Sequence, residues 1–302
     1  MKSEHSNVVI GIDIGGTEIK GGVVSSEGLL LVERRVRTPI EEGKVGMIQA
    51  LHHLITELSV QTNCPILGIG IGSAGRIDSK LGKVIYATNL PLTGTMLADE
   101  VAELLQLPVY VDNDVNVAAL GEAWVGAAQD NDNFAFIALG TGVGGALFSD
   151  GHILQGVSGG AGEFGHLILK PGGLACNCGQ YGCLEQYVSG SALQRMAREI
   201  DPNYDSHLLL KLAGQGDLQA NRALDHFVID LAYGMVTIHN VFDPGVIVVG
   251  GGVITSSEIW WSKLLETLND ISPKSIQLTP ALLGNRAGIL GAAKLVYDRV
   301  TI

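Results

Sequence analysis

The stretch VVIGIDIGGTEIKGGVVSSEGLLLVERRV, residues 8–36, decides the fold. Its short apolar runs, separated by glycine turns, predict three strands. The pattern returns at residues 136–154 in FIALGTGVGGALFSDGHIL, where an apolar strand, a Gly/Thr turn, a glycine-led strand and an acid–glycine turn follow in the same order. Two explanations stand at this point: two hairpins that look alike by chance, or an internal duplication with one copy opening each of two lobes.

Helices and further strands follow each copy of this pattern. Apolar residues recur at helical spacing over residues 44–59, so we predict an amphipathic helix there. Apolar runs and their stops predict strands at 66–72, 109–114 and 246–253 and helices at 97–105, 116–125, 190–200, 219–241, 257–269 and 286–298. Strands followed by helices, twice over, predict an α/β fold with two lobes.

Composition and charge narrow the class of protein. Of the 302 residues, 46% are hydrophobic, which is enough for one large core or two. A net charge of −12 disfavours nucleic acid and anionic membranes as partners. The sequence shows neither the apolar region of a signal peptide nor an apolar run near the roughly 20 residues that cross a bilayer. We therefore expect a cytoplasmic protein, in which thiols stay reduced.

The glycine turns predict phosphate binding. A glycine turn between strands directs several backbone N–H groups at one point, which suits phosphate oxygens. Each turn leads into a strand, so the Rossmann fingerprint does not fit, and the Gly-Lys-Ser/Thr of a P-loop is absent. Two such turns from two lobes would hold a nucleoside triphosphate, and residues 250–252 are either a third contact, to the nucleoside, or a plain strand-to-helix turn. The candidate ATP contacts are Asp13, Gly15, Gly16, Thr17, Gly140, Thr141, Gly142, Gly144, Gly250 and Gly251.

Two aspartates lie near the ends of predicted strands. Asp13 precedes the first glycine turn, where a carboxylate would repel phosphate unless Mg²⁺ intervenes; its alternative role is to cap the turn. Asp114, in VDNDVN, is either the N-cap of the next helix or a general base. The second role follows from its place where a strand ends at a cleft, within reach of an attacking hydroxyl.

Three of the four cysteines lie within eight residues. In a reducing compartment this clustering favours metal ligation over disulfides. Cys176, Cys178 and Cys183 supply three thiolates, and His166 is the candidate fourth ligand of a tetrahedral zinc ion. Four protein ligands leave no open position, so this zinc would be structural. The alternative is three free thiols, and Cys64, in another segment, is expected in the core.

Taken together, these motifs resemble those of the ROK family (repressors, open reading frames, kinases) of sugar kinases, over nearly the whole chain. The most specific element is Cys-x-Cys-Gly-x-x-Gly-Cys-x-Glu at residues 176–185, which Glu-x-Gly-His precedes at 163–166. The family's Asp-x-Gly-Gly-Thr turn occurs at 13–17, its Gly-Thr-Gly-x-Gly-Gly turn at 140–145 and its catalytic Asn-Asp pair at 113–114.

The resemblance implies an actin-like, ribonuclease-H-like α/β fold with mixed sheets, two lobes and a sugar in the cleft. We assign residues 1–115 and a C-terminal helix at about 286–302 to a smaller lobe, and 116–285 to a larger lobe with the zinc-binding segment. Asp114 would be the general base on a sugar hydroxyl, usually O6. His166 would contact zinc through one ring nitrogen and sugar through the other, so that zinc preorganises the sugar site. The implied sugar contacts are Gly75, Asn89, Asn113, Asp114, Glu163, His166 and Glu185.

The expected function is ATP-dependent phosphorylation of a hexose at its 6-hydroxyl, with glucose favoured. N-acetylmannosamine comes next, partly because Gly75-Arg76 resembles a segment of kinases for that sugar, and N-acetylglucosamine, fructose and allose kinases share the framework. A repressor of the same family is disfavoured because the first glycine turn begins so early that no DNA-binding module fits before it. The intact Asp114 disfavours a sugar-binding regulator without catalysis. The resemblance also implies Mg²⁺ with ATP and a homodimer.

Overall fold

The computed structural model describes residues 7–300. Residues 1–6 and 301–302, which end the expected smaller lobe, lie outside the described residues. The chain forms two compact units. The first comprises the described residues up to Asp130, residues 155–161 and the described residues from Leu282 onward, and the second comprises residues 131–154 and 162–281.

Strands and helices alternate along the chain as the sequence predicts. The strands are β1 Val8–Ile14, β2 Glu18–Ser25, β3 Leu30–Arg37, β4 Ile66–Ser73, β5 Arg76–Asp78, β6 Lys83–Tyr86, β7 Val109–Asn113, β8 Phe134–Leu139, β9 Val143–Ser149, β10 His152–Ile153, β11 Val246–Gly250 and β12 Leu278–Pro280. The α-helices are α1 Gly43–Ser59, α2 Leu97–Leu105, α3 Asp114–Val125, α4 Glu185–Val188, α5 Gly190–Ile200, α6 Ser206–Gly214, α7 Leu218–Phe242, α8 Trp261–Ile271 and α9 Ala287–Val300.

Each unit is built around one five-stranded mixed sheet. The strand order is β3-β2-β1-β4-β7 in the first unit and β10-β9-β8-β11-β12 in the second. In both sheets the first three strands in sequence pair antiparallel, and two later strands add parallel to the first strand's free edge. The two sheets therefore share one topology, as an internal duplication predicts and chance similarity of two hairpins does not.

Helix α9 is part of the core of the first unit. It packs against β1 and β4 on one side and against α3 on another. Glycines allow this close approach: a Cβ atom on Gly70 of β4 would lie 1.7 Å from the carbonyl oxygen of Ala292, and one on Gly291 would lie 1.5 Å from that of Val117. A side chain at Gly70 would force α9 away from the sheet, and one at Gly291 would force α9 away from α3, because real Cβ atoms do not come so close to backbone.

The boundary between the units differs from the one expected at 115/116. Helix α3 belongs to the first unit, which continues to Asp130, because α3 packs along α9. Residues 155–161 also belong to the first unit, although the chain on both sides of them is in the second. Neither contact has a signature in local sequence, since each depends on segments far apart in the chain.

Several element bounds differ from those predicted. Strand β11 ends at Gly250 rather than at 253, because Gly251 takes a φ of 86° and starts a run of 3₁₀ turns. Helix α3 begins at Asp114, two residues earlier than predicted. Helix α6 was not predicted at all. None of the helices within residues 7–300 combines the length and the apolar character that a membrane span needs.

Candidate active site and metal centre

Asp114 is the first residue of α3 but does not cap it. Asn113 is the N-cap, and its side-chain oxygen accepts hydrogen bonds from the backbone N–H groups of Val115 (2.9 Å) and Asn116 (3.1 Å). The amide nitrogen of Asn113 donates to Oδ1 of Asp114 (2.8 Å) and to the carbonyl oxygen of Gly75 (2.9 Å). The N–H of Val115 also donates to Oδ1 of Asp114, so Oδ1 is the oxygen that these two bonds fix and Oδ2 is the candidate to accept a substrate proton.

The charge state of Asp114 depends on its surroundings. Burial is the main factor that raises its pKa, and the nearby negative charge of Asp13 raises it further, to about 6. The hydrogen bonds from Val115 and Asn113 lower it, but they do not outweigh burial. A carboxylate with a pKa near 6 is mostly ionised at neutral pH and still basic enough to take a proton in a transition state.

Asp13 lies near the end of β1, beside the first glycine turn. Burial raises its pKa, and the ammonium group of Lys20 opposes that rise. The carboxyl group packs over the first turn of α9, where a Cβ on Gly288 would come within 2.6 Å of Cγ of Asp13. Two neighbouring carboxylates, each with a raised pKa, form a site that a divalent cation would stabilise.

The first glycine turn joins β1 to β2. Its Gly15 donates a hydrogen bond to the carbonyl oxygen of Glu18 (3.0 Å), while Gly16 and Thr17 are exposed. Thr38, just after β3, fixes the turn, because its hydroxyl donates a hydrogen bond to the carbonyl oxygen of Gly15 (2.7 Å). Thr38 thus anchors the turn, while Gly16 and Thr17 stay exposed and can contact a ligand.

The second glycine turn joins β8 to β9 and contacts the start of α5. The N–H of Gly190 donates to the carbonyl oxygen of Gly140 (2.8 Å), and that of Ser191 to the carbonyl oxygen of Thr141 (3.3 Å). Gly142 is the last residue of the turn. Gly144, which was predicted to contact ATP from the turn, lies within β9 and pairs with Ala138, so it is a strand residue.

A cavity of about 870 Å³ opens beside this second turn, within the second unit. Gly140 and Thr141 line it together with Gly252 of the third glycine segment. Gly251 approaches the strand before the turn so closely that a Cβ would lie 2.4 Å from the carbonyl oxygen of Leu139. The rest of the wall comes from α5, α6 and the turns after β11, including Ser191, Gln194, Arg198, His207 and Thr255. Its size is that of a cofactor site.

The Cys/His cluster has the geometry of a metal centre. The ligand atoms of His166, Cys176, Cys178 and Cys183 all lie within 4.8 Å of one another. Sγ of Cys176 is 3.8 Å from Nδ1 of His166, and Sγ of Cys178 is 3.7 Å from Sγ of Cys183. Atoms about 2.3 Å from one ion at tetrahedral corners lie about 3.8 Å apart, so these residues fit a four-coordinate metal.

Glu185 connects the metal centre to the second glycine turn. Its Oε2 accepts a hydrogen bond from the N–H of Val143 (2.8 Å), the residue that follows the turn, and its Oε1 lies 4.0 Å from Sγ of Cys176. Glu163, at the start of the 3₁₀ turn that carries His166, is exposed. The motif residues of this segment therefore occupy one part of the second unit.

The remaining predicted sugar contacts belong to the first unit. Gly75 has a φ of 115° and packs its α-carbon against the backbone of Tyr86, where a Cβ would lie 2.3 Å from the carbonyl oxygen. Asn89 is exposed in the loop after β6. The carbonyl oxygen of Gly75 accepts the hydrogen bond from Asn113 described above, so Gly75, Asn113 and Asp114 share one hydrogen-bonded group.

The comparisons with known proteins identify the family. The sequence model of the ROK family matches residues 9–299. The chain belongs to the ROK family. It is 35% identical to a glucokinase of Thermotoga maritima, over 97% of this chain and 98% of that one.

Solved structures of ROK proteins share the fold over nearly the full length. The ROK hexokinase of Thermus thermophilus is 35% identical, covers 97% of this chain and 99% of its own, and superimposes with a TM-score of 0.89. A ROK family glucokinase of Streptomyces griseus, solved with glucose and AMPPNP, is 34% identical over 96% of this chain and 99% of its own, with a TM-score of 0.81. The actin-like α/β fold with mixed sheets, expected from the resemblance, is confirmed.

Some residues of the ROK chain's cavity were missed by sequence reasoning. Gln194, Arg198 and His207 line it from α5 and α6, but they belong to no motif. Ser189 offered the one local signal, because its hydroxyl accepts from the N–H of Ala192 and starts α5 beside the glycine turn. Without that helix in place, nothing marks its side chains as part of a pocket.

Proposed function

We propose that this ROK chain is an ATP-dependent hexose kinase that transfers the γ-phosphoryl group to the 6-hydroxyl of glucose. The observation that carries the proposal is the setting of Asp114: a half-buried carboxylate with a pKa of about 6, oriented by Asn113, next to a second acid. Such a group serves as the base for a hydroxyl nucleophile. The glucokinase and hexokinase relatives support glucose as the acceptor.

Each residue set has a role in this reaction. Asp114 takes the proton of the 6-hydroxyl as the hydroxyl oxygen attacks the γ-phosphorus, and the bond from that phosphorus to the β–γ bridging oxygen breaks, so that ADP leaves. Asp13, beside the first glycine turn, would hold the cation, and backbone N–H groups of both turns would donate to phosphate oxygens. Mg²⁺ bound with ATP would neutralise the charge that develops on the phosphates. The cavity beside the second turn takes the nucleoside.

We assign zinc to the Cys/His cluster. Three thiolates and one imidazole are a zinc donor set, and four protein ligands complete a tetrahedron, so the ion supplies structure and no reacting position. Because Nδ1 of His166 faces Cys176, the ring's Nε2 remains for a sugar hydroxyl. Glu163, His166 and Glu185 would then hold the sugar from a segment that the metal fixes.

The arginine that favoured N-acetylmannosamine has a structural contact. The case for the second sugar rested on Gly75-Arg76, but Nε of Arg76 donates to the carbonyl oxygen of Ser158 (2.8 Å) within the first unit. That contact joins the loop after β4 to residues 155–161, which accounts for the arginine without a ligand.

We further propose a cytoplasmic homodimer that binds neither nucleic acid nor membrane.

The test is a coupled ADP-release assay with Asp114→Asn as the key variant. The wild type should release ADP with glucose faster than with N-acetylmannosamine, N-acetylglucosamine, fructose or allose. Asp114→Asn should lose about 10²–10⁴-fold in kcat while it still binds glucose by calorimetry, because only the proton acceptor is lost. Wild-type turnover by this variant would refute the assignment of Asp114 as the base. A faster rate with another sugar would show that this sugar, and not glucose, is the substrate.

A further inference from the structure

The chain passes between the two units four times. The crossings follow residues 130, 154, 161 and 281. Helix α3 carries Asp114 at its start and Glu122 two turns later, about 12 Å along its axis. Glu122 is fully buried, and no Lys, Arg or His among residues 7–300 forms an ion pair with it.

Three backbone N–H groups bond to this buried carboxylate. Oε2 of Glu122 accepts from Ala127 (2.7 Å) and from Leu282 (3.1 Å), and Oε1 accepts from Leu283 (2.9 Å). A buried charge is tolerated only when donors surround it, and charge-assisted bonds of this kind are about twice as strong as neutral ones. The carboxylate therefore fixes all three N–H groups in place.

The residues that bond to Glu122 lie next to two of the four crossings in the sequence. Ala127 lies three residues before the crossing that follows residue 130, and Leu282 and Leu283 come directly after the crossing that follows residue 281. A cap on the end of α3 would account for the bond to Ala127 alone. The bonds to Leu282 and Leu283 join a segment about 160 positions away in sequence, so capping does not explain them.

The other two crossings are bonded to the same part of the fold. Asp112, the residue two before Asp114, is buried, and its Oδ2 accepts from Nε2 of Gln155 (2.8 Å), the first residue after the crossing at 154. The N–H of Ala161, the last residue before the crossing at 161, donates to the carbonyl oxygen of Gln155 (3.3 Å). Two crossings thus connect to α3 through Glu122, a third connects to β7 through Asp112, and the fourth is bonded to the third through Gln155.

We propose that Glu122 is a positioning residue for phosphoryl transfer, which clamps the first-unit ends of two linkers to the helix that carries Asp114. The proposal rests on the proposed function. Because Glu122 holds these two linkers, the chain can bend only in the few residues beyond the bonded ones when the second unit moves. Asp114 therefore keeps a fixed position relative to the residues where the bending begins. Loss of the clamp should disturb the alignment of base and nucleotide, to which phosphoryl transfer is sensitive.

The test compares Glu122→Gln with a matched control, Glu103→Gln, which makes the same change at an exposed position of α2. The amide keeps the volume of the side chain but turns an NH₂ group towards backbone donors. We expect kcat per active site to fall about 10-fold and the glucose KM to rise severalfold. The dissociation constant for ATP without sugar should stay within twofold, because the residues that line the proposed nucleoside cavity all belong to the second unit and Glu122 belongs to the first. The control should match the wild type.

A purely structural role gives a different result. The melting temperature of Glu122→Gln would then fall while kcat per active site and KM stay at wild-type values, and that outcome overturns the proposal. Glu122→Asp, which retracts the carboxylate by one methylene, replaces Glu122→Gln if the amide variant does not fold.

Hydrogen exchange on the wild type gives a second, independent readout. The amides of Ala127, Leu282 and Leu283 should stay protected from exchange with and without glucose. If these three amides exchange as fast as the other linker amides, the clamp is contradicted. A wild type that releases no ADP with any sugar would refute the kinase function but leave this exchange test intact.

Discussion

Two aspartates show how residue environment decides chemistry. Asp13 and Asp114 are the same residue type, and each has a pKa raised by burial. Their settings differ: Asp114 is held by Asn113 and Val115 through Oδ1, whereas Asp13 packs against the first turn of α9. One is therefore suited to take a proton and the other to work through a cation.

The raised pKa of Asp114 predicts an acid limit to activity. Below about pH 6 the carboxyl group holds its proton and cannot accept another, so log kcat/KM should fall with a slope of one as pH decreases. Above that pH the base is ionised and the profile should level off. Initial rates from pH 4.5 to 8.5, with folding checked by circular dichroism at each pH, measure this. A profile that stays level down to pH 5 would contradict the assignment.

Gly288 lowers the stability of α9, and the position of Asp13 explains why a glycine is needed there. Glycine in a helix is about 1 kcal/mol less favourable than alanine. Here a Cβ would lie 2.6 Å from Cγ and 2.8 Å from Oδ2 of Asp13, so the carboxyl group occupies the space of the missing side chain.

We therefore expect Gly288→Ala to displace Asp13. The kcat should drop at least about 10-fold and the Mg²⁺ concentration for half-maximal rate should rise, because the carboxylate that orients the cation has moved. Gly214→Ala on α6 is the control, since its Cβ would meet nothing nearer than 3.9 Å. Unchanged Mg²⁺ dependence in Gly288→Ala would show that Asp13 has room to adjust.

At the scale of elements, residues 167–184, the metal segment, form no helix and no extended strand. Two isolated bridges, Ile168 with Cys183 and Ala175 with Tyr181, are its only strand-like pairings within the described residues. Lys170 pairs with Asp230 of α7 (2.6 Å) and fixes one end. Backbone hydrogen bonds also cross the segment, such as those from Leu169 to Gly182 (2.8 Å) and from Cys176 to Gln180 (2.8 Å). A metal ion in the four-ligand cluster would add to this order.

Cys178→Ser tests this dependence. We expect bound metal to fall and the glucose dissociation constant to rise about 10-fold, because Glu163, His166 and Glu185 lose their common support. Plasma emission spectroscopy and calorimetry give the two values. Cys64→Ser, which changes a cysteine of the first unit outside the cluster, should alter neither. Loss of metal with unchanged glucose affinity would separate the metal from the sugar site.

Sequence alone predicted those elements whose signal is local. Strand β1 with its glycine turn, and the cysteines around 176–183, are read from neighbours in the chain. Helix α6 was missed although Asp205 caps it, because its apolar run is short and becomes a helix face only against α7. Glu122 was missed as well, since the N–H groups it bonds come from the far end of the chain.

At the scale of the whole molecule, each unit has its own hydrophobic core. The cluster that includes Ile12, Leu54 and Ile71 lies in the first unit, and the one that includes Leu139, Phe227 and Trp260 lies in the second. Separate cores allow the units to move as bodies while each keeps its packing.

Domain closure follows from this organisation and from the chemistry. Water near the γ-phosphate would compete with the sugar, so a kinase gains from closing over its substrates. We expect glucose with a non-hydrolysable ATP analogue to reduce the radius of gyration in small-angle scattering. Allose, if the assay shows it to be a poor substrate, serves as the control ligand. Superimposable curves with and without glucose would count against closure.

The place of α9 in the first unit has a consequence for protein synthesis. Residues 131–281 of the second unit are translated before the helix that covers β1 and β4. At 5–20 residues per second, about 10–30 s separate the translation of α3 from that of α9. During this time the nascent chain presents the bare glycine face of the first sheet, so chaperones should engage the N-terminal third until translation nears its end.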